Sequence, residues 1–286
     1  MNNTANTYIG PYRLSKLVNN GQTCQLWQAV NDRTNDFVAL KTLVPRHLNN
    51  KAELAFLNWE YTVGSQLKSP YCIKTVDYGM DGEKPYLVIE WFAAPNMKSF
   101  VREGVDKCGY RLPVILPKVI QALAHLHSKG FIHRDVKPEN FLVNDKNEVK
   151  LIDFAIAQKK KTFLSSILGG KPKVQGTRSY MSPEQIRAQW VDERADIYSL
   201  GCMFFELVVG KAPFSGQTEK ELFQKHLNAP APLASNLNPN VTKEFGDMIR
   251  QMLAKNPAER YQSMNDLFNA FHAIKIFSRT PIPPKE

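Results

Sequence analysis

Between Tyr12 and Phe92, apolar and polar residues alternate with a period of two in four runs: YRLSKLV (12–18), QLWQAVN (25–31), FVALKTL (37–43) and YLVIEWF (86–92). Each run is rich in β-branched or aromatic residues, so each is expected to be a strand and the four to join in one antiparallel sheet. Between the third and fourth lies KAELAFLNWEYTVGSQL (51–67), which sets Leu54, Leu57, Tyr61 and then Gly64 or Leu67 at helical spacing before Ser69 and Pro70 stop it. One helix is therefore expected to pack on that sheet.

Beyond about residue 93 the helical period takes over. Helices are expected over 112–130, with Gly130 as C-cap, over 195–210, ending at Gly210, and over 219–227 and 243–253. No internal repeat is visible. The closing TPIPPKE cannot make a regular helix or sheet and reads as a loose tail. The division expected is an N-terminal extension (1–10), a small sheet-rich lobe (11–92), a larger helical lobe (93–276) and a Pro-rich tail (277–286), an α+β fold.

Bulk properties narrow the class. With 286 residues, 43% of them hydrophobic and 22% charged, the chain can bury one large core or two modest ones. No stretch reaches the roughly 20 apolar residues of a membrane helix, and the best candidate, LGCMFFELVVG (200–210), contains Glu206. The start MNNTANTYIG has neither a basic beginning nor an apolar run, so no secretory signal is read there and a cytoplasmic location is expected. Cys24, Cys72, Cys108 and Cys202 are widely spaced, which favours reduced thiols over a zinc site or a disulfide framework. The net charge of +10 would suit nucleic acid or another anionic partner, but Lys and Arg are dispersed apart from 159–161 and the pair Lys171 and Lys173. A solvated basic surface is the expectation, with no nucleic-acid partner; a nucleic-acid-binding module would instead show steeply salt-dependent binding.

The chemistry concentrates in HRDVKPEN (133–140) and LIDF (151–154), preceded by FVALK (37–41) and followed by GTRSYMSPEQ (176–185), ADIYSLG (195–201) and NPAERY (256–261). Alone, each acidic or amide residue here would be a turn former, and a single strand lysine would be a solvated edge charge. In this order the segments resemble the protein kinase superfamily, most closely its bacterial Ser/Thr members, from about Tyr12 to about Leu267. The resemblance implies a bilobal kinase fold and transfer of the ATP γ-phosphate to Ser or Thr hydroxyls of protein substrates. Such a reaction asks for positioning and cations more than covalent chemistry.

By that resemblance Asp135 orients the substrate hydroxyl and accepts its proton, and Lys137 sets a cation on the γ-phosphate. Asn140 and Asp153 supply a neutral and a charged oxygen to Mg2+. Lys41 contacts the α and β phosphates and needs an acidic partner. Counting back from LKSP (67–70) gives Glu60, with Glu53 the competing candidate. Glu90 and Phe92 offer backbone to adenine behind Ile89, while Val18, Gly21, Leu26, Ala39 and Leu142 complete the ATP-binding set. Thr177 is expected to bond near Asp135 and Lys137, Glu184 to pair with Arg260, and Asp196 to hold the catalytic-loop backbone. Arg134 suggests a loop ordered by phosphate, with Thr162, Ser165 and Ser166 as autophosphorylation acceptors and self-association serving transfer between copies.

Asn19, Cys24, Ala155 and Ser182 depart from the family pattern, and Gly64 is a separate weak point of its helix. The glycine-rich loop is reduced to NNGQTC (19–24), in which only Gly21 remains, asparagine at 19 tolerates left-handed backbone, and Cys24 is expected to be reactive if Lys41 favours its thiolate. Ala155 replaces the glycine of DFG and is expected to hinder exchange of Asp153 and Phe154 without removing a ligand. Ser182 replaces the alanine of APE. Gly64 is expected to weaken its helix by about 1 kcal/mol relative to alanine and so to leave it mobile. Because Lys41, Glu60, Asp135, Lys137, Asn140 and Asp153 are all present, an active enzyme is favoured over a pseudokinase scaffold.

Overall fold

The protein is described here by a computed structural model covering residues 7–160 and 174–283. It divides into two compact units, the first reaching to Ala93 and including Asp153–Ala155, the second formed by Ala94–Ile152 and the chain from Ile156 onward.

The first unit is a six-stranded antiparallel sheet with one helix. Its strands are β1 (Tyr8–Ile9), β2 (Tyr12–Asn20), β3 (Cys24–Asn31), β4 (Phe37–Leu43), β5 (Thr75–Asp81) and β6 (Lys84–Glu90), in the order β1-β2-β3-β4-β6-β5. The period-two pattern sends alternate side chains to opposite faces. Val38, Leu40, Tyr86 and Val88 join Tyr12, Leu14 and Ala29 in one apolar cluster, while Leu43 and Leu87 meet Leu57 in another. Strand β6 is packed on both faces, which is why it reads as nearly continuous apolar sequence. Strand β5, TVDYGMD, carries no such pattern. It forms by pairing with β6 across a tight turn at Gly82, whose φ is +57°.

Helix α1 (Lys51–Gly64) begins at Asn50, whose side chain accepts from the N–H groups of Ala52 and Glu53. It ends at Gly64 rather than continuing to Leu67. A β-carbon at Gly64 would fall well inside contact distance of Thr75 Oγ1 and 3.5 Å from the Phe154 ring. Gly64 is thus a close-packing residue at a helix end, and the packing opposes the gain that alanine would bring there by helix propensity.

In the second unit, the helix Glu193–Val209 is buried on every side from Ala195 to Val208, which accounts for its mostly apolar character, with Asp196, Ser199 and Glu206 buried among the apolar residues. It starts two residues earlier than expected because Asp192 caps it, and Gly210 ends it in left-handed backbone at φ +86°. Leu112–Ser128, Glu219–Asn228 and Lys243–Met252 lie within two residues of their expected bounds. Met264–His272 was not expected; Ser263 caps it through the Asp266 N–H. The segment from 277 is not wholly a loose tail. Phe277 is buried and pairs with Val241, and the Ser278 N–H donates to Asn240 O, because Phe277 completes an apolar contact that polarity counting overlooked.

Two short strand pairs frame the HRDVKPEN segment: Phe131–Ile132 with Gln158–Lys159, and Phe141–Val143 with Val149–Leu151. Among the described residues, no helix is long and apolar enough to cross a membrane.

Candidate active site

Within the first unit, β4 carries Lys41 opposite Leu26 of β3 and Leu87 of β6. Its Nζ lies 2.7 Å from Glu60 Oε2 on α1 and 3.8 Å from Asp153 Oδ1. The partner is therefore Glu60, not Glu53. Burial works against the Lys41 ammonium, but Glu60 and Asp153 outweigh it and hold its pKa above the ordinary lysine value. Burial also pushes the Glu60 carboxyl up, against the pull of Lys41, so Glu60 depends on its cation to stay ionised.

Asp153 adopts left-handed backbone, φ +65°, and its Oδ1 accepts from the Ala155 N–H at 3.4 Å. Ala155 itself is not among the positive-φ residues, so alanine fits the observed turn without strain.

The β2–β3 hairpin holds Gly21, whose N–H donates to Cys24 O at 3.0 Å. Asn19 is an ordinary strand residue opposite Leu26, so the left-handed tolerance expected of it is not used. The Cys24 expectation is also corrected. Burial raises its thiol pKa, and the nearby Lys41 charge does not overcome that effect. Val18 is exposed on β2, Leu26 is half-buried on β3, and Ala39 is buried on β4 opposite Ile89. At the end of β6 the Glu90 N–H donates to Lys74 O and its carboxylate accepts the Lys74 N–H, both at 2.9 Å. Phe92 follows, half-buried.

The second unit gathers the remaining residues around Asp135. The Thr177 N–H and hydroxyl both donate to Asp135 Oδ1, at 2.7 and 2.8 Å. Lys137 Nζ lies 2.6 Å from Asp135 Oδ2 and donates to Thr177 Oγ1 at 2.7 Å. Asn140 Nδ2 donates to Asp135 O at 2.8 Å and to Oδ2 at 3.3 Å, which turns the amide so that Asn140 Oδ1 is left as a hard oxygen donor. An amide oxygen of this kind in the second unit and the Asp153 carboxylate in the first are each of the hard type that suits a cation such as Mg2+. Leu142 sits on the strand that follows, bridged to Asn96.

A buried carboxylate anchors this loop. Asp196 accepts from the backbone N–H groups of His133 and Arg134, both at 2.8 Å, and lies 2.7 Å from His127 Nε2. Burial pushes Asp196 upward, but His127 and the His133 N–H hold its carboxyl below the usual carboxylate range. Farther along, Arg260 grips Glu184 with two nearly parallel bonds of 2.7 and 2.9 Å, and its other donors go to the carbonyls of Ala254, Arg194 and Lys255. The acceptors expected at Thr162, Ser165 and Ser166 lie outside the described residues.

Sequence reading missed two groups here. Lys98 reaches Glu206 at 2.7 Å and the Tyr180 hydroxyl at 3.2 Å, with Glu139 at 3.8 Å. Lys98 and Glu206 are 108 positions apart, and no local pattern joins them. The second group is Gln185, whose side chain touches both the loop that carries Asp135 and the segment before Thr177.

Comparison with known proteins bears on the family. The protein kinase domain family matches residues 12–271. A probable serine/threonine-protein kinase of Clostridium perfringens is 32% identical over 265 residues, covering 92% of this chain and 38% of that protein. The serine/threonine-protein kinase PknL of Mycobacterium tuberculosis is 30% identical over 250 residues (87% of this chain, 62% of PknL). PrkC of Bacillus subtilis, also named a serine/threonine-protein kinase, is 29% identical over 259 residues (90% and 39%). The chain thus spans between 38% and 62% of these relatives' own lengths. With the family match covering all but the ends, this chain belongs to the protein kinase family, as a Hanks-type domain similar to those of bacterial Ser/Thr kinases.

Proposed function

We propose that the chain is an ATP-dependent serine/threonine protein kinase, moving the γ-phosphate of ATP to Ser or Thr hydroxyls of protein substrates. The observation that carries this reading is the convergence of Lys137, Thr177 and Asn140 on the Asp135 carboxylate. Asp135 accepts the proton of the incoming hydroxyl, a role worth about 10²–10⁴-fold in rate. Lys137 offsets charge on the transferring group, and the Thr177 hydroxyl fixes the orientation of both side chains.

Lys41, held by Glu60, binds the α and β phosphates, and the Glu90 and Phe92 backbone receives the base beside Val18, Leu26, Ala39 and Leu142. Asn140 and Asp153 would hold Mg2+, which when bound would neutralise phosphate charge. The absence of any lost ionic residue favours this reading over a pseudokinase. A cytoplasmic location, self-association and autophosphorylation between 159 and 177 belong to the same proposal.

The test is incubation with labelled ATP, Mg2+ and a generic protein substrate, beside Asp135→Asn. Transfer by the parent and loss of at least about 10²-fold in the variant is the expected outcome. Equal, negligible label from both, with ATP still bound, would establish a scaffold instead. Mass spectrometry after the same incubation reads the autophosphorylation sites.

A further inference from the structure

Gln185 stands on the short helix Pro183–Ile186, and it is buried. Its Oε1 accepts from the Ser182 N–H and from the Ser182 hydroxyl, each at 3.1 Å. Its Nε2 donates in the other direction, to Arg134 O at 2.9 Å and to Gln175 O at 3.3 Å. Two carbonyls on one side and a backbone N–H on the other admit a single orientation of the amide. Every hydrogen-bonding position of that side chain is used.

Both carbonyls belong to segments that meet at the catalytic carboxylate. Arg134 lies in left-handed backbone, φ +68°, with its N–H held by Asp196 and its C=O held by Gln185, and Asp135 follows directly. Gln175 is followed by Gly176, where a β-carbon would come within 2.8 Å of Arg134 O, and then by Thr177, which donates twice to Asp135. A closed circuit results, running from Asp135 through the Arg134 carbonyl, Gln185, the Gln175 carbonyl and Thr177 back to Asp135. Ser182, fully buried where the resembled motif has alanine, supplies the hydroxyl that helps aim the amide.

We propose that Gln185, aimed by Ser182, is a positioning residue for phosphoryl transfer, its amide fixing the distance between the catalytic loop and the segment that presents Thr177 to Asp135. Helix capping alone does not explain the arrangement. Capping uses only Oε1 and the Ser182 hydroxyl, and glutamate would serve it equally well. The Nε2 bonds reach outside the cap.

The activity arm of the test rests on the kinase reading; the exchange arm does not. Gln185→Met keeps the length of the side chain and removes both donors. Its kcat is expected to fall about 10- to 100-fold, with KM for ATP nearly unchanged, because misplacement near 1 Å costs that much in rate. Gln185→Glu keeps the cap but loses the donors when ionised. Burial raises such a carboxyl, so protonation restores one donor and the loss in kcat should shrink as pH falls from about 8 to 6. Ser182→Ala should give a smaller loss that adds nothing in the Gln185→Met background.

Hydrogen–deuterium exchange read over 174–181 should be faster in Gln185→Met than in the parent, and unchanged over 51–64. Parent-level kcat together with parent-level exchange in Gln185→Met would overturn the proposal. If the parent transfers no phosphate, the kinase reading fails, and exchange over 174–181 alone decides the positioning role.

Discussion

Gly64 and Thr75 pack so closely that no other residue fits at position 64 without displacing the Thr75 hydroxyl. That contact fixes the end of α1 against the start of β5, and the same helix carries Glu60 one turn earlier. By helix propensity Gly64→Ala should stabilise by about 1 kcal/mol. Overpacking opposes this, at about 1–3 kcal/mol. Net destabilisation is therefore expected in urea unfolding followed by tryptophan fluorescence. Thr75→Ala removes the obstructing oxygen, so Gly64→Ala should be milder in that background; equal cost in both would refute the packing account.

The Lys41–Glu60 pair makes a pH-dependent prediction. Lys41→Met leaves a buried carboxylate without its cation, a loss of about 3–5 kcal/mol when the acid is ionised. Burial already pushes Glu60 upward, and without Lys41 the folded protein would hold a proton that the unfolded chain releases. Stability of the variant should then fall as pH rises above the unfolded carboxyl value. The gap to the parent should widen between pH 5 and pH 8 in urea titrations, and Glu60→Leu should close most of it.

Ala155 adopts the observed backbone without positive φ. Ala155→Gly should leave transfer within about threefold of the parent while costing about 0.4–1 kcal/mol through the freer unfolded chain. Steady-state kinetics and thermal unfolding check the two halves separately. A large gain in kcat would mean that alanine restrains the working conformation.

His226 is fully buried, 3.0 Å from the Tyr198 hydroxyl, and burial, aided by Lys255, lowers its pKa from 6.5 to about 4. The unfolded chain therefore takes up a proton that the folded protein refuses. Stability is lost as pH falls below about 6.5, and this contribution flattens near 4. Between pH 7 and pH 5 the parent should lose about 2 kcal/mol more than His226→Phe. Matching slopes in the two proteins would show that another group is responsible.

The sequence by itself determined β2, β3, β4 and β6, because alternation is a local record of two buried or half-buried faces, and it placed the long helices because caps and periodicity are local too. It also supplied the ionic residues, since HRDVKPEN and LIDF keep them within short reach along the chain. Tertiary structure decided what sequence spacing cannot encode. Counting from LKSP points to Glu60, but its 2.7 Å contact with Lys41 depends on how far along its axis α1 is seated, with Leu57 against Leu43 and Leu87, since Glu53 lies two turns earlier on the same face. Strand β5 exists because β6 offers it an edge, despite its own weak pattern. Gly64 proved to be a packing requirement, and Cys24 a half-buried thiol with a raised pKa, because burial depends on what the rest of the chain places nearby. Gln185 reads as an ordinary polar residue until folding brings the carbonyls of Arg134 and Gln175 within reach of one amide, 51 and 10 positions away.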